Sequence, residues 1–164
     1  MGGENMYDVM DVARFIVNYS IEIGRPVSNL KLQKLLYFVQ VAFIRQYGIP
    51  CFEAPIVHWR HGPVVESVYQ KYKAYGAENI TDKEIEYFSF YFDSKNMSFV
   101  TDWKKYNENI FEYNHLILIK TIVEHYKDHS PWEMVELTHQ ENPWKKTDRN
   151  EEITIDMIKR YYFR

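Results

Sequence analysis

Paired histidines and a single cysteine are the residues of this chain whose types and spacing could support chemistry. His58 and His61 are three residues apart and His125 and His129 are four apart, a spacing that places two metal ligands on one face of a helix. Neither pair has the glutamate of an HExxH motif or a third ligand, and Cys51 alone is too little for a cysteine-based metal site. We therefore expect neither a metal nor a cofactor.

The residue types support a catalytic nucleophile no better than they support a metal site. Cys51 and a distant histidine could act as nucleophile and base, but any chain with six histidines and one cysteine allows that pairing. The sequence contains no Gly-rich phosphate loop and no GxSxG elbow. The chain is therefore predicted not to be an enzyme. An enzyme of unknown type that uses His61 or His139 stays open as an alternative.

Length and composition predict one soluble globular domain. The 164 residues are 46% apolar and 26% charged, which is near the average for such domains. The aromatic share of 17% predicts a core of large flat side chains, with some aromatic surface left for a partner. The formal net charge of −3, without a basic stripe, argues against nucleic acid as a partner, because phosphate neutralisation supplies most of the affinity of nucleic-acid binders.

The sequence also predicts a cytoplasmic location. A lone cysteine fits a reducing compartment, and residues 1–8 carry neither the basic nor the apolar region of a signal peptide. The longest apolar run, Leu116–Ile119, is far shorter than the roughly 20 residues that span a bilayer. We therefore expect no membrane partner.

The fold that must position these residues is predicted to be mainly α. The pattern indicates a compact bundle of five to six helices with one or two short β-strands, in a single domain over 1–164 with its core at about 8–163. Residues 51–60 are predicted to form an edge strand or structured loop, and 153–155 a short strand. Helix starts are predicted at Asp8, Ser28-Asn29, Gly62-Pro63, the Thr81–Glu84 capping box, Trp103 and Ser130.

Apolar spacing predicts which side chains of these helices are buried. Leu32, Leu35 and Leu36 form the core face of the second helix, which places Lys31 and Lys34 on a solvated face.

Two later segments are also predicted to be helical. Residues 87–92 form a short helix, and 103–127 form the longest one. The second is expected to be central because its residues 116–119 are apolar on all sides.

Three stretches of this sequence carry a resemblance to a known family. They are Asn29–Phe38, Trp59–Val65 with Val68-Tyr69 after it, and Leu137–Trp144. In this order and spacing they resemble the Panacea domain, a family that includes SocA-like antitoxins and many phage- or prophage-encoded proteins. The resemblance runs from about Asp8 to Phe163 and is weakest over 77–106.

The resemblance implies a non-catalytic protein-binding domain that neutralises a cognate toxin by direct binding. One branch of the family is similar to a proteolytic adaptor that delivers its toxin to a protease. A proteolytic adaptor of prophage origin and a DNA-associated regulator therefore stay open as alternatives. The partner's identity is left open, as is a homodimer.

Two of the three stretches, together with the tyrosines near 69–75, supply candidates for contact with a partner. In each stretch a purely structural role is the alternative: a strand-to-helix turn at 59–63, and Trp144 folding back over His139 at a helix end. The candidates for partner binding are Trp59, His61, Gly62, Pro63, Tyr69, Tyr72, Thr138, His139, Pro143 and Trp144.

Overall fold

The computed structural model describes residues 6–163, which form a mainly α fold with some β structure. Over this range there are seven α-helices and two small antiparallel sheets of two strands each. The helices are α1 (Val9–Glu22), α2 (Asn29–Tyr47), α3 (Glu66–Tyr72), α4 (Tyr113–His125), α5 (Pro131–His139), α6 (Asn142–Lys145) and α7 (Ile155–Tyr162), and the strands are β1 (Val57–Trp59), β2 (Gly62–Val64), β3 (Glu86–Asp93) and β4 (Ser98–Lys105).

The prediction of a bundle of five to six helices with one or two short strands was therefore wrong, because residues 6–163 form seven α-helices and four β-strands. The largest error lies at 87–92, which was predicted as a helix and belongs to β3. Phe88, Phe90 and Phe92 alternate with other residues, and that period of two, in residues that favour strands, is the signature of β structure. β3 pairs with β4 over its whole length, from Glu86 opposite Lys105 to Asp93 opposite Ser98.

Two predicted helix starts fall on strands. Pro63 lies in β2, opposite His58 of β1, and the helix that follows begins only at Glu66. A two-stranded sheet has a free edge on each strand, so it tolerates a residue without an N–H. Trp103 lies in β4, and α4 begins ten residues later, at Tyr113.

Three other predicted helix starts are confirmed, whereas the start predicted at the Thr81–Glu84 capping box is wrong, because residues 81–84 are not helical and β3 follows them. Asp8 caps α1 by accepting a hydrogen bond from the Met10 N–H, and Ser28 caps α2 in the same way through the Lys31 N–H. At the start of α5, Ser130 and Glu133 form the capping box that their spacing indicated.

The central element is α2 rather than α4. Helices α1, α3, α4, α5 and α7 and strand β2 all pack on α2, so it is buried around most of its length except at its last turn. The predicted core residues Leu32, Leu35 and Leu36 are fully buried. α4 packs on α1 and α2 along one side only, which leaves Ile117 of its apolar run exposed. The all-apolar run therefore did not identify the central helix.

The buried position of α2 overturns the prediction that Lys31 and Lys34 are solvated. Both are buried, and each finds backbone carbonyl groups as partners. The Lys31 Nζ donates to the carbonyl oxygens of Tyr126 at 2.7 Å and His129 at 2.7 Å, just past the end of α4. A cation is favoured there because the carbonyls at a helix C-terminus carry partial negative charge.

Candidate partner-binding site

A pocket of about 450 Å³ opens between the N-terminal half of α2, the β1–β2 hairpin, α3 and the first turn of α5. Its size lies in the usual range for ligand sites, and its wall is mostly apolar. The residues that line it are Asn29, Leu30, Gln33, Lys34, Trp59, Arg60, His61, Val64, Tyr69, Lys73, Gly76, Ala77 and Trp132.

Polar side chains of α2 fix the position of the pocket wall. The Asn29 Nδ2 donates to the Tyr69 carbonyl at 3.0 Å, and the Gln33 Oε1 accepts from the Val65 N–H at 2.9 Å. Gln33 and Asn29 are also hydrogen bonded to each other at 2.9 Å. Because all of these groups are buried or half-buried, the bonds hold the β1–β2 hairpin and α3 in one arrangement on α2.

Lys34 forms the floor of the pocket. Its side chain has no exposed surface, and its Nζ donates to the Pro63 carbonyl at 2.9 Å. Burial lowers the pKa of this amine to about 7, because the charged form loses its hydration. A neutral or half-protonated lysine therefore lies under a mostly apolar surface near neutral pH.

Gly62 is required by both its backbone conformation and its surroundings. Its φ angle is +102°, which L side chains rarely adopt. A Cβ atom at this position would lie 2.7 Å from the Thr138 Oγ1 and 3.0 Å from the Lys34 Cε. The hairpin can therefore rest on Lys34 and Thr138 only because this residue has no side chain.

Aromatic side chains form the rim of the pocket. The half-buried Trp59 ring meets the Tyr69 ring edge-on, with centroids 5.1 Å apart. The exposed His61 ring meets the Trp132 ring edge-on at 5.0 Å, and 58% of Trp132 is exposed. Each pair supports the orientation of a ring that faces solvent, which is the arrangement of aromatic anchors at protein interfaces.

The charges at the rim are all positive. Arg60 and Lys73 are exposed there, and no aspartate or glutamate is among the described residues that line the pocket. The chain as a whole has a formal charge of −3, so this cationic rim is a local feature. It would favour an acidic group on a bound partner.

A stack of three rings lies beneath the hairpin. Trp144 of α6 is sandwiched between His58, at a centroid distance of 4.0 Å, and His139, at 4.1 Å. The predicted folding of Trp144 over His139 is therefore what the structure contains. The His58 Nδ1, His139 Nε2 and Trp144 Nε1 are buried and have no hydrogen-bond partner within residues 6–163.

The environment of His139 favours its neutral form. Burial lowers its pKa, and the nearby Lys34, His58 and His61 lower it further, in that order, because each can carry positive charge. A neutral imidazole stacks on the Trp144 indole without burying a charge, so the three stacked rings are suited to a structural role.

The ten predicted contact residues divide into three groups. Trp59, His61 and Tyr69 line the pocket and are open to a partner. His139 and Trp144 are half-buried in the ring stack. The remaining five are buried and could influence a partner only through the shape of the site: Gly62, Pro63, Tyr72, Thr138 and Pro143.

Sequence reasoning missed Trp132, Arg60 and Lys73 as site residues. A signal for Trp132 was present, because the residues just after an N-cap Ser-Pro usually face solvent and a large apolar ring there has no core to enter. Arg60 and Lys73 had no such signal, since isolated charges are ordinary on any surface.

The histidine pairs and Cys51 form no metal centre in the described part of the chain, where no group of three or more His, Cys, Asp or Glu side chains is placed to hold an ion. The His125 and His129 rings lie 6.5 Å apart. Burial raises the pKa of the Cys51 thiol, which disfavours the reactive thiolate. No helix among residues 6–163 is long and apolar enough to cross a membrane.

The fold is mainly α, and its aromatic-rimmed pocket is lined by residues of the first two sequence stretches identified above. The third stretch packs against the β1–β2 hairpin through Thr138 and Trp144. Residues 32–145 match the family model described as "Antitoxin SocA-like, Panacea domain", and the chain belongs to this family. It is similar to the protein named Antitoxin SocA of Caulobacter vibrioides (strain NA1000 / CB15N), with 34% identity over 79 residues. That alignment covers 48% of this chain and 42% of the relative, so the chain spans less than half of the relative's length. No solved structure matches the chain significantly.

Proposed function

We propose that this chain is an antitoxin that neutralises a partner toxin by binding it directly, and that the pocket between α2, the β1–β2 hairpin and α5 receives the toxin. Membership of the SocA-like family and similarity to a protein named as an antitoxin support the general role. One observation supports this location for the binding site: residues of both Asn29–Phe38 and Trp59–Val65 line the same pocket.

The chemistry of the pocket indicates what part of a toxin would fit. An apolar side chain would enter between Trp59 and Trp132, where the wall is aromatic and the hairpin is already fixed on α2. An acidic residue beside it would meet Arg60 and Lys73 at the rim. Exclusion of water from the aromatic wall would supply most of the affinity, and the two cations would orient the partner.

Preorganisation favours tight binding here. The pocket wall is held by hydrogen bonds from Asn29, Gln33 and Lys34, so little ordering of the antitoxin would oppose association. The toxin would then be blocked by occupation of its surface, with no chemical step.

Co-expression tests this proposal. Each gene that flanks this one in its native locus is induced alone and then together with this chain in a bacterial host, and growth is followed. We expect one neighbour to arrest growth and this chain to restore it. If no neighbour is toxic, or if arrest persists while the chain is soluble, the antitoxin proposal fails.

Two aromatic variants then locate the contact. Trp132→Ala removes an exposed ring at the pocket and should weaken binding to the toxin by roughly thirtyfold, as for an interface hot spot. Tyr113→Ala removes an exposed ring from the start of α4, away from the pocket, and should leave binding unchanged. Loss of binding in Tyr113→Ala with full binding in Trp132→Ala would place the toxin elsewhere.

A further inference from the structure

The β3–β4 hairpin presents an aromatic face that nothing in residues 6–163 covers. Five rings lie on it, between 49% and 68% exposed: Phe88, Phe90, Phe92, Phe99 and Trp103. The register places them on one side, with Phe88 opposite Trp103 and Phe92 opposite Phe99. The rings contact one another along the face, at centroid distances of 5.1 to 5.5 Å.

The base of the hairpin is firmly attached to the body, so the face is held in place. Just before β3, Glu84 forms ion pairs with Arg14 at 2.9 Å and with Lys71 at 2.9 Å. The Asn18 side chain bonds to both the N–H and the carbonyl of Glu84. On the opposite face of the hairpin, the Arg14 guanidinium lies 3.5 Å from the centre of the Tyr87 ring. The aromatic face therefore points away from the body.

The exposed area is large for a surface that stays uncovered. A Phe or Trp side chain offers about 150–250 Å², so five rings that are about half to two-thirds exposed leave roughly 600 Å² of aromatic surface. That value is at the upper end of the largest apolar patch on an ordinary monomer, about 300–600 Å². Two such faces together would bury roughly 1,200 Å², which reaches the lower limit of a specific interface.

The arrangement of the rings is symmetric about one cross-strand pair. Phe90 and Thr101 are opposite each other at the centre of the hairpin, and the aromatic positions lie two residues on either side of them in both strands. A two-fold axis can pass through this pair, in the plane of the face and perpendicular to the strands. Rotation by 180° about this axis exchanges the position of Phe88 with that of Phe92, and the position of Trp103 with that of Phe99. The aromatic face of one copy can therefore lie on the same face of another. Such self-complementarity is what a two-fold contact between identical chains requires.

We propose that the aromatic face of the β3–β4 hairpin binds the same face of a second copy of this chain. In this contact Phe88 packs on Phe92 of the second copy, and Trp103 packs on Phe99 of the second copy. Thr101 meets its own counterpart at the axis, where a small side chain leaves room for the surrounding rings.

In this contact the two hairpins run in opposite directions, which also suits the residues around the aromatic face. The two globular bodies lie at opposite ends of the contact and do not compete for space. Glu86 and Lys105, the charged pair at the base of the hairpin, fall outside the overlap and stay in water. A two-stranded hairpin is only marginally stable by itself, so covering its apolar face also stabilises it. This inference is independent of the proposed antitoxin function.

Charge reversal at the symmetry axis gives a specific test, with the full chain and sedimentation velocity over a concentration series as the measurement. We expect the unaltered chain to dimerise at micromolar concentration. Thr101→Lys and Thr101→Asp should each be monomeric, because two like charges then face each other at the axis. An equimolar mixture of the two variants should form a heterodimer, since opposite charges meet.

A second pair of variants separates loss of contact from loss of fold. Phe90→Ser removes a ring from the aromatic face and should raise the dissociation constant by roughly thirtyfold. Tyr91→Ser removes an exposed ring from the opposite face of the same strand and should leave the dimer intact. Far-ultraviolet circular dichroism should show the same helix content in all variants.

Three results would overturn the inference: an unaltered chain that stays monomeric at every concentration, equal dimerisation of Phe90→Ser and the unaltered chain, or failure of the Thr101→Lys and Thr101→Asp variants to associate when mixed. Binding of the product of a flanking gene by the aromatic face of a monomeric chain would assign this surface to another protein.

Discussion

Replacing Lys34 by methionine should stabilise the folded chain near neutral pH and remove one source of its pH dependence. The Lys34 amine is fully buried, bonds to the Pro63 carbonyl, and has a pKa lowered by burial to about 7 from its usual 10.5. Methionine has a similar length and no charge, so it can fill the same space without the cost of burying an amine.

The sign and size of the effect follow from proton binding. Between about pH 7 and pH 10.5 the unfolded chain holds a proton on Lys34 that the folded chain has released, so the free energy of unfolding rises with pH across this window. From about pH 7.5 to about pH 9.5 the rise amounts to roughly 2–3 kcal/mol. Below pH 7 both states are protonated and the full cost of burial applies.

The variant is predicted to be the more stable protein only in the lower part of this range. At about pH 7.5 the cost that methionine removes is about 4 kcal/mol. The Pro63 carbonyl loses its partner, which costs about 1–3 kcal/mol at every pH. The stability advantage of Lys34→Met should therefore be about 1–3 kcal/mol at pH 7.5 and should disappear by about pH 9.5.

Urea unfolding monitored by tryptophan fluorescence at several pH values measures this difference. Lys73→Met is the matched control, because Lys73 borders the same pocket but is exposed, and its difference from the unaltered chain should not vary across the window. A Lys34→Met difference that is constant from pH 7.5 to 9.5 would show that the amine stays charged in the folded chain, and the reasoning about the pocket floor would be wrong.

Two further substitutions test the support of the pocket wall by urea unfolding. Gly62→Ala forces a Cβ against Thr138 and Lys34 at a φ of +102° and should destabilise the fold by about 2–4 kcal/mol; a loss below about 0.5 kcal/mol would contradict that geometry. Gln33→Leu leaves the buried Val65 N–H without an acceptor and should cost about 1–3 kcal/mol, whereas Gln70→Leu, at an exposed position, should cost almost nothing.

Sequence patterns predicted the helices that carry strong local signals. The caps of α1, α2 and α5 were found because Asp8, Ser28 and Ser130 each satisfy a nearby backbone N–H, an interaction that depends on only a few neighbouring residues. The apolar spacing of Leu32, Leu35 and Leu36 was likewise sufficient to place them in the core.

The errors arose where neighbours in the sequence do not decide the structure. The β1–β2 hairpin is three residues long on each side, so its strands are too short to show a period, and β2 depends on bonds from Gln33 and Lys34 of α2. The β3–β4 hairpin did show a period of two at Phe88, Phe90 and Phe92. A helix was predicted there because Thr81 and Glu84 have the spacing of a capping box, whereas in the fold Glu84 forms ion pairs with Arg14 and Lys71.

The same distant contacts explain why the pocket was only half predicted. Trp59, His61 and Tyr69 were selected from one stretch of sequence, whereas Trp132 comes from a helix some seventy residues later and meets His61 only in the folded chain. Lys34 was assigned to solvent because charged residues on helices usually lie there. Its burial became visible only when α2 proved to be surrounded along most of its length.

The buried polar residues of α2 connect stability to function. Burial of these polar side chains costs hydration, and for Lys34 near neutral pH that cost exceeds the value of its one hydrogen bond. The hydrogen bonds of Asn29, Gln33 and Lys34 fix Tyr69, Val65 and Pro63, the backbone that carries the aromatic rim. If the rim binds a toxin, Lys34→Met should give a more stable protein near neutral pH whose affinity for that toxin is lower, because the hairpin is less firmly held. Equal affinity in the two proteins would mean that packing against α2 fixes the rim without the Lys34 hydrogen bond.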